Sequence, residues 1–142
     1  MSILGLDFGA KRIGIAKSDE LNFMAHAMGF IPSDENLFHS IKELVNKHQI
    51  QKIVIGLPIT LKGEVGSQAK KVAAFAENLR KHIDLPIVTW DERLTTAQAE
   101  RALLEQDMSR AKRKIKRDAI AAEIMLQSYL DFSKQKGLSE NV

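Results

Sequence analysis

The chain reads as one α/β domain on a mixed sheet. Its 142 residues suffice for one substantial core and are too few for two ordinary domains. Short apolar, β-branched runs alternate with longer segments whose apolar residues recur at helical spacing, as expected of strands crossed over by helices. The first run is followed at once by a second across a glycine-containing turn. The expected order is therefore three strands, helix, strand, helix, strand and then two helices, over residues 1–134, with a frayed polar tail at 135–142.

The opening hairpin organises the rest. Ile3-Leu4-Gly5-Leu6 is apolar without an intervening charge, like a strand covered on both faces. Asp7 then interrupts it, and a carboxylate there is costly to bury unless a cation, a metal or hydrogen bonds compensate it. Gly9 lets the backbone turn tightly or approach a ligand closely. Lys11 and Arg12 add positive charge, and Ile13 to Ala16 run back as the second strand.

A third strand is expected within Asn22 to Ile31. Pro32-Ser33 then announces a helix with the stripe Leu37, Ile41, Leu44, Val45 and His48. Ile53-Val54-Ile55 forms a buried strand stopped by Gly56-Leu57-Pro58, and a loop carries Gly63 and Gly66. Ser67 is placed to cap a helix with the stripe Ala69, Val72, Ala73, Ala76, Leu79 and Ile83. Pro86 to Trp90 is the fifth strand, ending on Asp91-Glu92-Arg93. Thr95 and Gln98 form a capping-box pattern for a helix over Ala97 to Gln106. The last helix, about Ile115 to Ser133, gathers Asp118, Ala121, Ala122, Met125, Tyr129 and Phe132 on one face.

Composition excludes several classes. Hydrophobic residues make up 44% and charged residues 27%, which suits a globular chain and not a disordered one. There is no cysteine, hence no disulfide framework and no thiolate metal site. The opening residues lack a secretory-signal pattern and no apolar run reaches membrane-spanning length, so a cytoplasmic protein without a membrane partner is expected. Net charge is +3, yet Arg110, Lys112, Arg113, Lys114, Lys116 and Arg117 stand together without an acid, which leaves the remainder net acidic. A basic segment on an acidic body fits a polyanionic partner; alone it equally fits a solvated loop.

Ligands of α/β sheets sit beyond the carboxyl ends of the strands. Asp7, Gly56-Leu57-Pro58 and Asp91-Glu92 all lie at such ends if the three strands are parallel neighbours, and the last helix can bring Asp118 to the same edge. Ala121 and Ala122 are small enough for close packing there. Gathered carboxylates repel one another unless a cation joins them, and oxygen donors without Cys or paired His select Mg²⁺ or Mn²⁺. Such ions can activate a water and stabilise the leaving oxygen of a phosphodiester. Lys11, Arg12 and Arg93 stand beside these carboxylates, ready to neutralise phosphate. Asp91 and Glu92 alternate in direction, so at most one faces the metals. Glu92 is favoured by its reach and by sharing a face with Val88 and Trp90.

Four motifs carry a resemblance. Leu6-Asp7-Phe8-Gly9-x-Lys11-Arg12-Ile13-Gly14-Ile15-Ala16, Gly56-Leu57-Pro58 with Gly63, Asp91 to Thr96, and Asp118-x-x-Ala121-Ala122 ahead of Leu126-Gln127-x-Tyr129-Leu130 resemble the YqgF/RuvX family of pre-16S rRNA nucleases. The resemblance spans nearly the whole chain. It implies an RNase H-like fold related to the RuvC Holliday-junction resolvases, with a five-stranded mixed sheet of order 3-2-1-4-5. It further implies a metal-dependent nuclease in 16S rRNA maturation, with the acidic triad on Asp7, Glu92 and Asp118. Lys116-Arg117 depart from the apolar residue the family more often carries before its last Asp.

Two rival readings remain. Asp7, Gly9 and Gly14 also resemble the first phosphate loop of actin-like ATPases and sugar kinases, which need a second domain that this chain is too short to supply. A non-catalytic RNA-binding protein would need only the cations. Cations on phosphates carry no base information, so an rRNA precursor is the expected substrate by resemblance, with branched DNA as the alternative.

Overall fold

β1 (Ser2–Asp7), β2 (Arg12–Ser18), β3 (Ala25–Pro32), β4 (Ile50–Leu57) and β5 (Ile87–Asp91) form one sheet in the order β3-β2-β1-β4-β5. This is a computed structural model, and it describes residues 1–9, 11–57, 67–91 and 119–133. Helices α1 (Leu37–His48) and α2 (Ser67–His82) lie between strands in the chain, and residues 119–133 are helical. The expected helix over 97–106, the basic segment and the tail at 135–142 lie outside the described residues. Among the described residues, no helix is long and apolar enough to cross a membrane.

The sheet is mixed for a simple reason of chain length. β1 turns back through a few residues and pairs antiparallel with β2, which pairs antiparallel with β3. β4 and β5 each follow a helix, and both run parallel to β1 and to one another. The expected 3-2-1-4-5 order and the parallel β1-β4-β5 set are observed.

Alternation along β1 divides two cores. Leu4 and Leu6 join Ile13, Ile53, Ile55 and Ile87 on the face covered by α1 and α2, where Ile41, Val72, Phe75 and Leu79 meet them. Ile3 joins Ala16 and Val54 on the opposite face, against Ala122, Met125, Leu126 and Leu130. Burial on both faces explains why β1 reads as continuous apolar sequence.

The third strand starts later than expected, at Ala25. Asn22 takes a left-handed conformation (φ 59°) in the turn that closes with Asp19 N–H donating to the Met24 carbonyl. The Ser18 hydroxyl, fully buried, donates to Asn22 Oδ1 at 2.7 Å and accepts from the Ile3 N–H at 2.8 Å, tying that turn to β1. β3 also runs through Pro32, which is acceptable on an edge strand, so α1 begins only at Leu37. On α2 the buried stripe includes Phe75, while Ala73 is exposed. In the helix over 119–133, Leu126 and Leu130 are buried and Phe132 is half-exposed, so the buried face is turned from the expected stripe.

Candidate active site

Asp7 ends β1 at the carboxyl edge of the parallel strands. Ile3 and Gly5 face the 119–133 helix, so alternation places Asp7, partly buried, on that same face. Phe8 turns to the other side and packs against Phe75, with ring centroids 5.2 Å apart. A carboxylate and an aromatic ring are thereby separated by one residue of register.

The turn after Asp7 has a strict steric requirement. A Cβ on Gly9 would stand 2.5 Å from the carbonyl oxygen of Arg12, so the backbone approaches itself too closely for any side chain. Lys11 is exposed, and its carbonyl accepts the Ser33 N–H at 2.9 Å. Arg12 opens β2, and its guanidinium carbon lies 5.2 Å from the centroid of the Phe30 ring. Both expected cations of the hairpin thus stand at the edge that carries Asp7.

The 119–133 helix is fixed on this face by three contacts. A Cβ on Gly5 would meet Leu126 Cβ at 3.0 Å, so helix and strand backbones approach as closely as a glycine permits. Gln127 accepts from the Ala25 N–H at 2.8 Å and donates to the Phe23 carbonyl at 2.9 Å, satisfying backbone at the start of β3 and in the turn before it. Lys52 Nζ donates to the Tyr129 hydroxyl at 3.0 Å, and Lys52 pairs with Ile3 at the far end of β1. Residues 127 and 129 therefore stand over the start of β1 and Leu126 over its middle. Ala122, Ala121 and Ala119, all buried, continue from there toward the helix start.

β5 brings Val88 and Trp90 to this face, where they pack with Tyr129 on the core below. Trp90 meets Tyr129 edge-on at 5.5 Å. The expected common face of Val88 and Trp90 is therefore observed. Glu92, Arg93, Asp118 and the cations Arg110, Lys112, Arg113, Lys114, Lys116 and Arg117 lie outside the described residues. Among the described residues, no three His, Asp or Glu side chains gather into a metal-binding group. The Asp7 carboxylate offers hard oxygen atoms, the donor type that suits Mg²⁺ or Mn²⁺. The four histidines are dispersed as expected; His82 stacks on Phe38 at 4.5 Å within α2's surroundings.

Gly5, Gln127 and Phe30 contribute to this site without having been singled out in the sequence by role. Gln127 had a readable signal, since an amide between buried Leu126 and Leu130 must find partners. Gly5 and Phe30 had none, because each acts through a residue remote in sequence or through strand register.

An antiparallel β1-β2-β3 meander joined to parallel β4 and β5, with a helix packed over β1 and an acid at its carboxyl end, defines an RNase H-like fold. Two solved structures share that fold. T. thermophilus RuvC in complex with a Holliday junction substrate aligns with a TM-score of 0.56 at 10% identity, covering 93% of this chain and 96% of that one. The fowlpox virus Holliday junction resolvase aligns at 0.54 and 16%, covering 92% and 99%.

The family model described as RuvX, Holliday junction resolvase, matches residues 1–132, and the chain belongs to that family. A Listeria monocytogenes serotype 4b relative, provisionally named a pre-16S rRNA nuclease, is 46% identical over 135 residues, covering 92% of this chain and 98% of its own. A relative of the same name from Sulfurihydrogenibium is 48% identical over 131 residues, covering 91% and 89%.

Proposed function

We propose that this protein is a divalent-metal-dependent nuclease that hydrolyses phosphodiester bonds in the 5′ region of the 16S rRNA precursor. The observation that carries the reading is the placement of Asp7 at the carboxyl end of β1, on the face where Gly5 and Leu126 lock the 119–133 helix. Following that helix backward from Leu126 moves away from the Ile3 level and toward the Asp7 level, and Asp118 is the residue just before Ala119 in the chain. Trp90 stands on β5, and Glu92 follows it two residues later in the sequence. Asp7, Glu92 and Asp118 are accordingly proposed as the catalytic carboxylates and as the ligands of Mg²⁺ or Mn²⁺. When bound, such an ion supplies an activated water and charge for the leaving oxygen. Lys11, Arg12, Arg93 and the cations from Arg110 to Arg117 are proposed to hold the phosphate backbone. The names of the relatives favour the rRNA substrate.

The test is Asp7→Asn, which keeps side-chain size and removes the charge. Cleavage of a labelled 16S rRNA precursor in Mg²⁺ should be abolished, with melting temperature retained or raised in metal-free buffer. Cleavage at the wild-type rate would falsify the catalytic assignment. The family description favours branched DNA as a second substrate class, and a labelled four-way junction in the same assay separates the two. Symmetric junction cutting requires a dimer, so a strict monomer in solution opposes that second reading.

A further inference from the structure

We infer that the exposed ring of Phe30, backed by the Arg12 guanidinium, is a stacking platform for an unpaired nucleobase of the strand held at Asp7. The inference rests on the nuclease reading and adds to it a contact that selects single-stranded substrate.

Register places the platform. Asp7 on β1 pairs with Gly14 on β2, and Gly14 pairs with Phe30 on β3, so the three residues form one line across the sheet. Directly paired residues share a face. That face is the one bearing Ala16, Gly5 and the 119–133 helix. Gly14 contributes no side chain between the carboxylate and the ring. Two strand spacings separate Asp7 from Phe30, about 10 Å in all. That is about three nucleotides at the stacked rise of about 3.4 Å, and fewer in an unstacked strand. One strand of nucleic acid can therefore reach both.

The ring itself is unusual for its position. Phe30 is 39% exposed on an edge strand whose burial pattern otherwise alternates weakly. Arg12 stands over it at 5.2 Å, a cation–π arrangement that leaves the remaining ring surface to solvent. An aromatic face beside a guanidinium is the pairing that single-strand sites use, with the ring taking a base and the cation near the backbone. A bulge aims it. Ile15 pairs with Gly29 and Ala16 with Ala27, so Met28 is the extra residue, and Gly29 takes φ 104° with open space around it. Bulges of this kind re-aim side chains near sites. Here the bulge lies two residues before Phe30.

The experiment measures binding in chelator, so its outcome is independent of cleavage. A fluorescent 12-nucleotide single-stranded RNA is titrated with wild type, Phe30→Ala, Phe30→Leu and Phe30→Tyr, beside a blunt RNA duplex and a DNA strand of the same sequence. Phe30→Ala and Phe30→Leu should weaken single-strand binding about 5- to 100-fold, and Phe30→Tyr should restore it. Duplex affinity should change less than twofold, because its bases are already stacked. An equal effect on RNA and DNA supports the inference, since stacking ignores the sugar. Unchanged single-strand affinity in Phe30→Ala overturns it, as does wild type failing to bind the strand, or equal loss on duplex and strand. Should Phe30→Ala instead shift the mass in solution from dimer to monomer with single-strand affinity intact, Phe30 serves a second copy of the chain and the inference is wrong. Failure of the nuclease reading appears separately, as Asp7→Asn retaining cleavage.

Discussion

Replacing Gly5 by Ala tests whether the strand–helix contact positions the site. The new Cβ would stand 3.0 Å from Leu126 Cβ, 3.3 Å from its Cδ2 and 3.4 Å from its Cγ. Carbon pairs are most favourable at about 3.5–4.0 Å, so the helix must withdraw by about 0.5–1 Å. Overpacking of this size costs about 1–3 kcal/mol. Loss of glycine freedom in the unfolded chain offsets about 0.4–1 kcal/mol of that. The net loss of about 1–2 kcal/mol should lower the melting temperature by roughly 3–8 °C. A misplacement of about 1 Å can slow a reaction on the order of 100-fold. Cleavage of the rRNA precursor, measured well below the melting transition, should therefore fall about 10- to 100-fold. Ile53→Val is the control, because it loses about 0.5–1.5 kcal/mol on the opposite face without touching the helix. Its cleavage rate should match wild type. If Gly5→Ala melts lower yet cleaves normally, or if both variants lose cleavage alike, the helix does not position the catalytic groups.

Gly9→Ala should be more damaging than Gly5→Ala, costing about 3 kcal/mol or more in all, because the obstacle at 2.5 Å is the Arg12 backbone carbonyl and cannot rotate away; a thermal melt of both variants decides. Replacing Arg113, Lys114 and Lys116 together with Gln should weaken RNA binding similarly across sequences and flatten its salt dependence by about one unit per lost contact, with turnover at saturating substrate unchanged. The His48 imidazole has its pKa lowered below 6.5, first by desolvation and then by the Lys17 and Lys47 ammonium groups. The unfolded chain therefore binds its proton more readily than the folded one. The stability this group leaves intact above 6.5 should decline as pH falls through that value, and His48→Gln should flatten melting temperature against pH in the window below it.

The central hairpin was legible because its signals are local. Four apolar residues, an acid and a glycine within Ile3 to Gly9 name the strand, its end and its turn. The mixed sheet followed from loop length: a short turn imposes antiparallel pairing, and the helical crossovers permit parallel pairing. β3 was less legible because it is an edge strand. His26, Ala27, Met28 and Phe30 are all exposed, so no face imposes a period of two, and only tertiary partners fix its start. One such partner is Gln127, 102 residues from Ala25, and no local pattern announces that bond. The stripe of the last helix was turned for a similar reason. Phe132 shares a helical face with Tyr129 in sequence, yet it leans 5.1 Å from Trp90 at the rim and stays half-exposed. At the site, Asp7 was readable as an acid closing an apolar strand, but the surroundings contributed by Gly5 and Phe30 were not. Gly5 meets Leu126 and Phe30 lies on the Asp7-Gly14-Phe30 line, and neither relation exists before the chain folds.

The position of Asp7 follows from where the chain changes direction. β2 lies on one side of β1 and β4 on the other, so connections from β1 diverge, and divergence of this kind opens a crevice beyond the carboxyl ends of the strands. Only one face at that crevice can take a carboxylate. The face of α1 and α2 is closed by Phe8 and Phe38 against Phe75, at 5.2 and 5.8 Å, and an acid placed among those rings would lose its hydration without a partner. The other face carries Gly5, Gly14 and Ala16, small residues that let a helix come close with its own Ala122 buried there. Because strand alternation has a period of two, a slip of one residue in β1 would exchange Asp7 with Phe8. It would also put Leu4 or Leu6, according to the direction of the slip, where Leu126 now meets Gly5, with no room for either. The packing that makes the core dense is thus the same packing that fixes which way Asp7 faces. A register fixed this strongly holds Asp7 at the carboxyl edge of the parallel strands, on the face of the 119–133 helix.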